Sequence, residues 1–391
     1  MGCHPAREDS GPCARIDLDA LASNARRIRR KVKPRGLLAV VKWDAYGHGL
    51  VPCARALQRA GATAFGVSSP QDGVTLRRAG ITQPILVMTD WVGKPPALFL
   101  DWDLQAAATS WYKVEYLESV SRKLGRPVPV HLKFDTGLGR VGIHHSQYRA
   151  ALRAVAKMPH LNIVGLYSHL AYNGPQDQAR GRRQIEIFEK IVREAGRLGL
   201  APRWIHLANS AAAAAIPDVP GNLVRAGIAL YGQPPSAEVR GLLPLDPVMT
   251  LTGRVRAVRR VRRGHGFPDA QFWTAPADGW GAEVGLGFGS SYPRSLVGKA
   301  RVLFRGQRRR LVGIMSRDVC YVFTGPDRPE PGEEVVFWGK QGRQTLYLFE
   351  LAGLIDALPY ELPTWLASVV PRHFLTTSGP SESTTSVRKV L

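Results

Sequence analysis

The sequence predicts an α/β fold in which an N-terminal (β/α)8 TIM-type barrel is followed by a C-terminal, mostly-β domain. Short apolar runs alternate with amphipathic helical patterns over a little more than two hundred residues, which is typical of a parallel barrel. After a proline-punctuated connector at 233–247, helical periodicity gives way to short Arg- and Val-rich runs broken by glycines. A doubly wound parallel sheet stays open as an alternative for the first part.

The elements follow in that alternating order. Residues 15–30 predict a short strand and then an amphipathic helix. The strands predicted for the barrel are Leu37–Lys42, Ala64–Val67, Pro84–Met88, Leu104–Thr109, Val128–Phe134, Ile163–Ser168, Trp204–Leu207 and Leu223–Ile228. The helices predicted between them include Val51–Ala60, Trp111–Leu124, Gln147–Ala156 and Gly181–Leu198. Because the strands are almost continuously apolar, we expect both of their faces to be buried.

Four segments are expected along the chain. They are a flexible leader at 1–14, the barrel at 15–238, the β domain at 239–375 and a Ser/Thr-rich flexible tail at 376–391. No apolar run reaches the roughly 20 residues that span a bilayer, and the start lacks the apolar core of a secretory signal. The four cysteines are scattered without metal-ligand spacing, which indicates a reducing cytoplasm and neither a disulfide framework nor a zinc site.

The charge of the chain is strongly basic. Formal net charge is +22, and arginines cluster at 254–263 and 305–310. A nucleic-acid surface is one interpretation. Arg254 and Arg256, however, alternate with apolar residues as on an exposed strand face, and no aromatic-interleaved basic motif accompanies them. We therefore favour solvated strand faces and expect no nucleic-acid partner.

Segment 37–50, LLAVVKWDAYGHGL, is the most informative part of the sequence. An apolar run ends there on Lys42, and a glycine-bearing polar loop with Tyr46 follows. A lysine at the exit of a buried strand is costly to place unless its amine is used. An aldehyde cofactor held as a Schiff base would use it. The alternative is a strand-terminal lysine that reaches solvent.

Candidate site residues, most of them polar, recur at the later strand ends, where barrels of this kind place their active sites. These residues are Lys133, Asp135, Arg140, His169, His206, Asn209, Ser210, Arg225, Gly227, Ile228 and Tyr231. Ser210, Gly227 and Ile228 can offer a hydroxyl and backbone N–H groups to a phosphate. Each residue alone also fits a helix cap, a core histidine or an ion pair. Together and in this order they indicate a cofactor site.

Four segments, KWDAYGHG, HLKFDTGLGR, HLANSAA and VRAGIALYG, resemble hallmark segments of the alanine racemases, fold-type III enzymes that use pyridoxal 5′-phosphate (PLP). The resemblance extends roughly over residues 15–374. It implies that Lys42 carries the PLP aldimine and acts as one catalytic base. The implied reaction interconverts L- and D-alanine and would supply D-alanine for peptidoglycan. A head-to-tail homodimer with shared active sites is implied as well.

The resemblance also implies roles for the other residues. Those implied to bind the cofactor are Lys42, Tyr46, His169, Asn209, Ser210, Arg225, Gly227, Ile228 and Tyr231. Arg225 would hydrogen-bond the ring nitrogen, and His169 would pack against the ring. The counterpart of Lys133 is often carbamylated in the family, and a carbamate on Lys133 would face Arg140.

The second domain departs from the family pattern. Racemisation needs a base on each face of a planar carbanion, and the family's second base is a tyrosine in a V-S-Y-G-like segment from the other subunit. The matching segment here is 267–270, with Asp269 at the tyrosine position. Arg317 and Asp318 align with a Met-Asp pair, so Arg317 replaces a methionine whose backbone meets the substrate carboxylate.

Three interpretations therefore stay open, two of them catalytic. In the first, Asp269 or a water is the second base of a racemase, for which burial would have to raise the carboxyl pKa. In the second, a PLP enzyme uses Lys42 alone on another amino acid. In the third, the protein binds PLP without racemase turnover.

Overall fold

The computed structural model describes residues 11–89, 91, 93–216, 218–236, 239–377 and 379–380. The chain divides into two compact units. Among the described residues, the barrel unit contains those of Leu21–Ala45 and Leu50–Asp246, and the β unit contains those up to Ala20, the short segment Tyr46–Gly49, and those from Pro247 onward.

Strand β1 (Cys13–Asp17) opens the described chain and precedes helix α1 (Leu18–Val32). Asp17 Oδ1 accepts the Ala20 N–H at 2.8 Å and so satisfies one donor at the start of the helix. Strand β1 belongs to the β unit, whereas the sequence suggested a leader to residue 14 and a barrel from residue 15. Residues 1–10 of the expected leader lie outside the described residues.

The strands of the barrel unit form a parallel sheet. They are β2 (Gly36–Val40), β3 (Ala64–Val67), β4 (Ile85–Val87), β5 (Leu104–Ala108), β6 (Pro129–Asp135), β7 (Ile143–His144), β8 (Asn162–Tyr167), β9 (Trp204–His206) and β10 (Leu223–Ala226). The order is β10-β2-β3-β4-β5-β6-β8-β9, with β7 beside β6. Asn222 N–H donates to the Ile205 carbonyl at 2.9 Å, and Arg225 N–H donates to the Ala208 carbonyl at 3.1 Å. These two bonds join the end strands, and the predicted barrel is confirmed.

Helices separate these strands along the chain. They are α2 (Lys42–Gly47), α3 (Leu50–Arg59), α4 (Pro70–Arg78), α5 (Ala97–Asp101), α6 (Trp111–Leu124), α7 (Tyr148–Val155), α8 (Gln178–Arg197) and α9 (Ser210–Ala215). Ser69 and Ser110 cap α4 and α6, because each hydroxyl accepts a first-turn backbone N–H. None of the helices in the described part of the chain combines the length and apolar character needed to cross a membrane.

The β unit is built mainly from antiparallel strands. They are β11 (Met249–Val261), β12 (Gly279–Val284), β13 (Arg301–Phe304), β14 (Gln307–Met315), β15 (Cys320–Gly325), β16 (Glu334–Gln341), β17 (Gln344–Leu346), β18 (Arg372–Thr376) and β19 (Gly379–Pro380), with short helices α10 (Leu348–Ala352) and α11 (Glu361–Trp365). The circuit β16-β13-β14-β15-β12-β11 closes because β16 also pairs with β11. Strand β1 lies between β11 and β18. The predicted C-terminal β domain is therefore confirmed.

The first residues of the expected tail from residue 376 overlap the last described strands. Thr376 ends β18, and β19 pairs with it antiparallel. The rest of the tail, from 381, lies outside the described residues.

Several arginines of the β unit are neutralised by nearby carboxylates. Arg305 pairs with Glu333 at 2.8 Å. Arg308 pairs with Glu350 at 2.6 Å, and Arg309 contacts Asp327. Other arginines of the same clusters, Arg256, Arg259 and Arg310, are exposed on their strands. This distribution agrees with solvated strand faces, and the absence of a nucleic-acid partner stays a prediction.

Candidate active site

Lys42 begins a left-handed turn directly after strand β2. Trp43, Asp44, Ala45 and Tyr46 have φ angles of 54°, 52°, 55° and 55°. Each L-residue in this region costs roughly 1–2 kcal/mol. Such strain persists only where the surroundings fix it, and it is concentrated at functional sites. The strand predicted to reach Lys42 therefore stops at Val40, and the lysine belongs to the turn.

Each part of this turn is held in place by contacts within its own unit. Ala45 N–H donates to the Val41 carbonyl at 3.0 Å. The Asp44 carboxylate accepts the Leu50 N–H at 2.7 Å, at the start of α3. Gly47 has a φ of +79°, and a Cβ there would lie 2.1 Å from the Pro363 carbonyl oxygen, so only glycine fits.

The surroundings of Lys42 lower the pKa of its amine. Burial lowers the pKa of Lys42, and the positive charge of Arg140 lowers it further. A lysine with a lowered pKa is more often neutral, which makes it a better nucleophile and base.

Asp135 organises the loop that carries Arg140. Its carboxylate accepts backbone N–H groups from Leu138 at 2.8 Å and from Gly137 and Gly139 at 2.9 Å. Burial raises the pKa of Asp135, but hydrogen bonds from backbone N–H groups, including that of Arg140, outweigh it, so the pKa falls below its usual value. The loop is therefore fixed by a charged acceptor at the end of β6.

Lys133 is a second lysine held in the barrel interior. Its residue is 6% exposed, and its Nζ lies 5.7 Å from the centre of the Tyr167 ring. Burial, followed by the charges of Arg140 and Arg225, lowers the pKa of Lys133 to about 7, although Asp135 opposes the shift. Near neutral pH much of this amine is therefore uncharged, the form that reacts with carbon dioxide.

Arg225 is buried at the end of β10, only 3% exposed. Its Nη1 donates to the His206 carbonyl at 2.8 Å, and its Nη2 donates to the Ser168 carbonyl at 2.7 Å and the Leu207 carbonyl at 3.2 Å. No hydrogen bond of the described residues uses its Nε. Arg225 is therefore an interior guanidinium held by carbonyls, with one donor left, and not a surface ion pair.

Ser210, Gly227 and Ile228 come together at the neighbouring strand ends. Gly227 N–H donates to Ser210 Oγ at 3.0 Å, so the hydroxyl proton of Ser210 is available to another acceptor. The Ile228 N–H has no acceptor among the described residues. These donors fit a phosphate group, as the sequence suggested.

Two further residues predicted to bind the cofactor use their polar groups elsewhere. Asn209 caps α9 by accepting the Ala212 N–H at 2.9 Å, and its amide donates to the Leu170 and Tyr172 carbonyls at 3.2 Å. The Tyr231 hydroxyl donates to the Val40 carbonyl at 3.1 Å. Both side chains therefore brace the strand ends around the site.

His169 is held in place through its backbone. Its carbonyl accepts Gln184 Nε2 at 3.1 Å, and the same amide nitrogen donates to Thr136 Oγ1 at 3.2 Å. Burial, followed by the charge of Arg225, keeps the pKa of His169 well below its usual value, so the ring is neutral. The sequence did not predict Gln184, a buried polar residue on an amphipathic helix.

A buried polar chain lies behind Arg225. Gln105 Oε1 is 2.8 Å from His131 Nε2, and His131 Nδ1 is 2.8 Å from His206 Nε2. His206 Nδ1 is 3.1 Å from Arg225 Nη1. Gln105 and His131 were not predicted as site residues, although each is a polar residue within a predicted strand.

The β unit carries the remaining predicted site residues. Asp269 is exposed in the connection between β11 and β12, and its carboxylate accepts the Gln271 N–H at 2.9 Å. Arg317 and Asp318 are also exposed, and the Arg317 carbonyl accepts the Gly289 N–H at 2.8 Å. The burial that Asp269 would need as a base is not provided within its own unit.

Tyr46 also belongs to the β unit. Its ring meets Tyr360 edge to face, with the ring centres 6.1 Å apart. Burial, and then the neighbouring Tyr360, raise the pKa of the Tyr46 hydroxyl, so it is a hydrogen-bond donor near neutral pH.

The residues of the barrel unit fit PLP on chemical grounds. Lys133, Arg140 and Arg225 form no ion pair within the described residues, so a bound anion would find positive charges not already paired with carboxylates. The donors of Ser210 and Ile228 suit a phosphate, and the remaining Nε–H of Arg225 suits a ring nitrogen. Lys42 supplies an amine for an aldehyde.

Comparison with protein families gives two matches. Residues 16–235 match the family described as alanine racemase, N-terminal domain, and residues 248–374 match alanine racemase, C-terminal domain. The alanine racemase of Symbiobacterium thermophilum is 36% identical over 362 residues, which cover 92% of this chain and 96% of that protein. The alanine racemase of Streptomyces coelicolor is 36% identical over 376 residues, covering 93% and 95%.

Solved structures give the same result. The alanine racemase of Streptomyces lavendulae superposes with a TM-score of 0.88 at 32% identity, over 94% of this chain and 98% of that chain. The alanine racemase of Streptomyces coelicolor A3(2) gives a TM-score of 0.87 at 34% identity, over 95% and 100%.

Proposed function

Since the chain belongs to the alanine racemase family, whose enzymes are PLP-dependent isomerases, we propose that it interconverts L- and D-alanine, with Lys42 as the attachment point of the cofactor and as one base. The observation that supports this most strongly is Lys42 itself. A strained left-handed turn presents it, and burial lowers its pKa.

Several residues predicted from the sequence would bind different parts of the cofactor. Ser210, Gly227 and Ile228 would hold the phosphate, and Tyr46 would contribute its hydroxyl. Arg225 would donate its Nε–H to the ring nitrogen, and neutral His169 would pack against the ring. When bound, PLP supplies an electron sink that makes the Cα–H of an amino acid acidic.

Lys42 would move the proton on one face of the substrate. Its neutral Nζ can accept the Cα proton and return it, and the positive charge of Arg140 favours the neutral form. Arg225, fixed by carbonyls, cannot be displaced without breaking several buried hydrogen bonds. The chain's own contribution is therefore one positioned base and a fixed electrostatic frame.

The second base would come from a second copy of the chain. Asp269 stands where the family has its tyrosine, and we place it in this role in a homodimer. Large exposed apolar side chains in the β unit support an oligomer, including Val369 at 78%, Leu358 at 49% and Trp365 at 45% exposure. Burial by a partner is also what would raise the pKa of a carboxyl toward that of a useful base.

A second candidate function is favoured by the state of Asp269. Within its own unit this carboxylate is exposed and holds a local turn. A protein with an intact PLP site and no second base would exchange the Cα proton on one face only, or would bind PLP without racemase turnover.

The cofactor part of the proposal is tested on the purified full chain. PLP should give a visible absorbance band that borohydride removes, and peptide mapping should find the reduced cofactor on Lys42. Lys157→Ala, which changes an exposed lysine, is the matched control and should keep the band. A protein that takes up no PLP, or that carries it on another lysine, would contradict every catalytic interpretation above.

A further inference from the structure

The side chains of the buried polar chain behind Arg225 have no role in the proposed reaction. This polar chain takes one side chain from each of four strands: Gln105 from β5, His131 from β6, His206 from β9 and Arg225 from β10. Its three contacts measure 2.8, 2.8 and 3.1 Å. No carboxylate of the described residues bonds to any of these side chains, so the chain has no acid to absorb a proton.

Arg225 sets the direction of the chain, because a guanidinium has donors only. Its Nη1 lies 3.1 Å from His206 Nδ1, so that ring nitrogen must accept and carries no proton. A neutral imidazole then has its proton on Nε2. That N–H donates to His131 Nδ1 at 2.8 Å.

The same logic passes through His131 to Gln105. Because His131 Nδ1 accepts, its proton lies on Nε2, which donates to Gln105 Oε1 at 2.8 Å. The amide of Gln105 is fixed as well, since its NH2 group turned toward His131 would set donor against donor. Every tautomer and the amide orientation therefore follow from the guanidinium at one end.

The surroundings favour two neutral rings. Tyr167 stacks on His206 with ring centres 4.7 Å apart and meets His131 at 6.4 Å, and Arg225 is the charge that faces both rings. Burial, followed by Arg225, lowers the pKa of His131 to about 3, and burial also holds the pKa of His206 well below its usual value. The space is fitted too, because a Cβ on Gly165 would lie 2.1 Å from His131 Nδ1.

The terminal nitrogens of Arg225 are fully engaged by this arrangement. Nη1 donates to the carbonyl and to Nδ1 of His206. Nη2 donates to the carbonyls of Ser168 and Leu207 and lies 3.4 Å from His169 Nδ1. The Nε–H is the donor that remains. If His206 Nδ1 carried a proton, it would face a donor of Arg225, and the guanidinium would have to turn.

We propose that Gln105 and His131 are positioning residues for Arg225: through His206 they keep an acceptor beside Nη1 and so hold the guanidinium in the orientation that leaves its Nε–H for a ligand. The proposal rests on the proposed function only in taking that ligand to be the ring nitrogen of PLP. The proton arrangement of the chain is independent of PLP.

The proton arrangement is tested by 15N NMR of the histidine-labelled full chain without added PLP. Both rings should show the Nε2–H tautomer and should not titrate between about pH 5 and pH 9. Loss of signals in His131→Gln assigns that ring. An Nδ1–H tautomer, or titration of either ring in this range, would overturn the proposal whether or not the protein is a racemase.

The link to the ligand is tested with Gln105→Glu. The carboxylate accepts the same hydrogen bond but stabilises a second proton on His131, and that Nδ1–H would oppose the N–H of His206. Between pH 9 and pH 6, the PLP affinity of this variant should therefore fall about tenfold more than that of the control variant, since one pKa unit corresponds to a tenfold change. Gln83→Glu is the matched control, because Gln83 also accepts a side-chain hydrogen bond, from Gln58 at 3.0 Å.

Gly165→Ala tests the same link without a new charge, because the added Cβ must displace the His131 ring. It should weaken PLP binding at every pH and mix the tautomers of His131. If Gln105→Glu follows Gln83→Glu at every pH and Gly165→Ala binds PLP as the wild type does, the positioning role is wrong. If neither the wild type nor any variant binds PLP, the proposed function is wrong, and the NMR result alone decides the proton arrangement.

Discussion

The end of strand β10 and the connection between β11 and β12 hold the two halves of the expected chemistry in opposite states. At the first, Arg225 is buried and bonded to several carbonyls. At the second, Asp269 is exposed and bonded to a backbone N–H two residues away. The first group is fixed by distant strands, whereas the second is fixed only by its own turn.

This difference shows which half of the site a single chain can build. A buried cation needs acceptors, and the barrel itself supplies them to both terminal nitrogens of Arg225, which leaves its Nε–H for a ligand. An exposed carboxylate needs nothing more than water. Asp269 therefore gains a catalytic environment only if another chain covers it. A single chain builds the barrel half of the site, whereas the half that contains Asp269 depends on assembly.

Lys42→Ala is the substitution with the largest expected effect on that comparison. It removes the amine from the barrel half, and D-alanine formation should fall by at least about 10³-fold, since both the attachment point and a base are lost. Chiral chromatography of the product measures the change. Lys157→Ala should keep wild-type activity, and substantial racemisation by Lys42→Ala would show that the barrel half is not where catalysis occurs.

Asp269→Asn tests the half that depends on assembly. The amide can still accept the Gln271 N–H, so the turn should persist, while racemisation should fall by about 10²-fold because a general base is lost. Exchange of the Cα proton on the Lys42 face should fall less. Asp278→Asn, in the same connection, is the control for a carboxylate that accepts a backbone N–H. Equal effects of the two variants would remove Asp269 from the mechanism.

Lys133→Met tests whether the amine of Lys133 is buried in the barrel, and the measured quantity is the free energy of unfolding. The folded-state pKa of Lys133 is about 7 against a usual value of 10.5, so below pH 7 the folded protein holds a buried charge. Wild-type stability should rise relative to Lys133→Met by about 3 kcal/mol as the pH increases from 7 to 10, because only the unfolded state stays protonated there. Urea unfolding in buffer free of carbon dioxide measures it, and parallel pH profiles would contradict a buried amine.

Carbon dioxide extends the same experiment. The neutral amine of Lys133 can attack the carbon atom of carbon dioxide and release a proton. The product is a carbamate, whose negative charge would pair with Arg140. A new carbonyl signal with 13C-bicarbonate should appear in the wild type and be missing from Lys133→Met.

Asp135→Asn gives the smallest expected effect. The loop keeps an acceptor but loses its charge, and stability near pH 7 should fall by about 1 kcal/mol. Because the folded-state pKa of Asp135 lies below its usual 3.8, this contribution is present above about pH 4 and is lost as the pH falls through the folded-state value. Asp101→Asn, at an exposed position, is the control. An undiminished difference at pH 2 would contradict the account.

The sequence predicted the barrel well because its pattern is local. All eight predicted strands occur, each within two residues of its expected ends, since apolar runs bounded by polar loops define a parallel strand directly. The polar strand ends converge because parallel strands place them on one rim. Ser210 and Gly227 were predictable in this way, and their contact is 3.0 Å.

The features that the sequence did not predict are set by distant contacts. Within Trp43–Tyr46 just one residue, Asp44, is of a type that adopts the left-handed region readily, so the sequence does not predict four such residues in a row. Gln105 and His131 lie on different strands, β5 and β6, and only the closed barrel reveals that they bond to each other. The pairing of β1 is not predictable from local sequence for a similar reason, since β1 joins strands that come more than two hundred residues later.

The most direct test of the whole account is to incubate the full chain and PLP with L-alanine in D2O, following deuterium at Cα and the chirality of the product together. A racemase should give deuterated D-alanine, which requires a base on each face of the substrate. Deuterated alanine that stays entirely in the L form, or no exchange at all, would contradict the account and would leave Lys42 with no partner base.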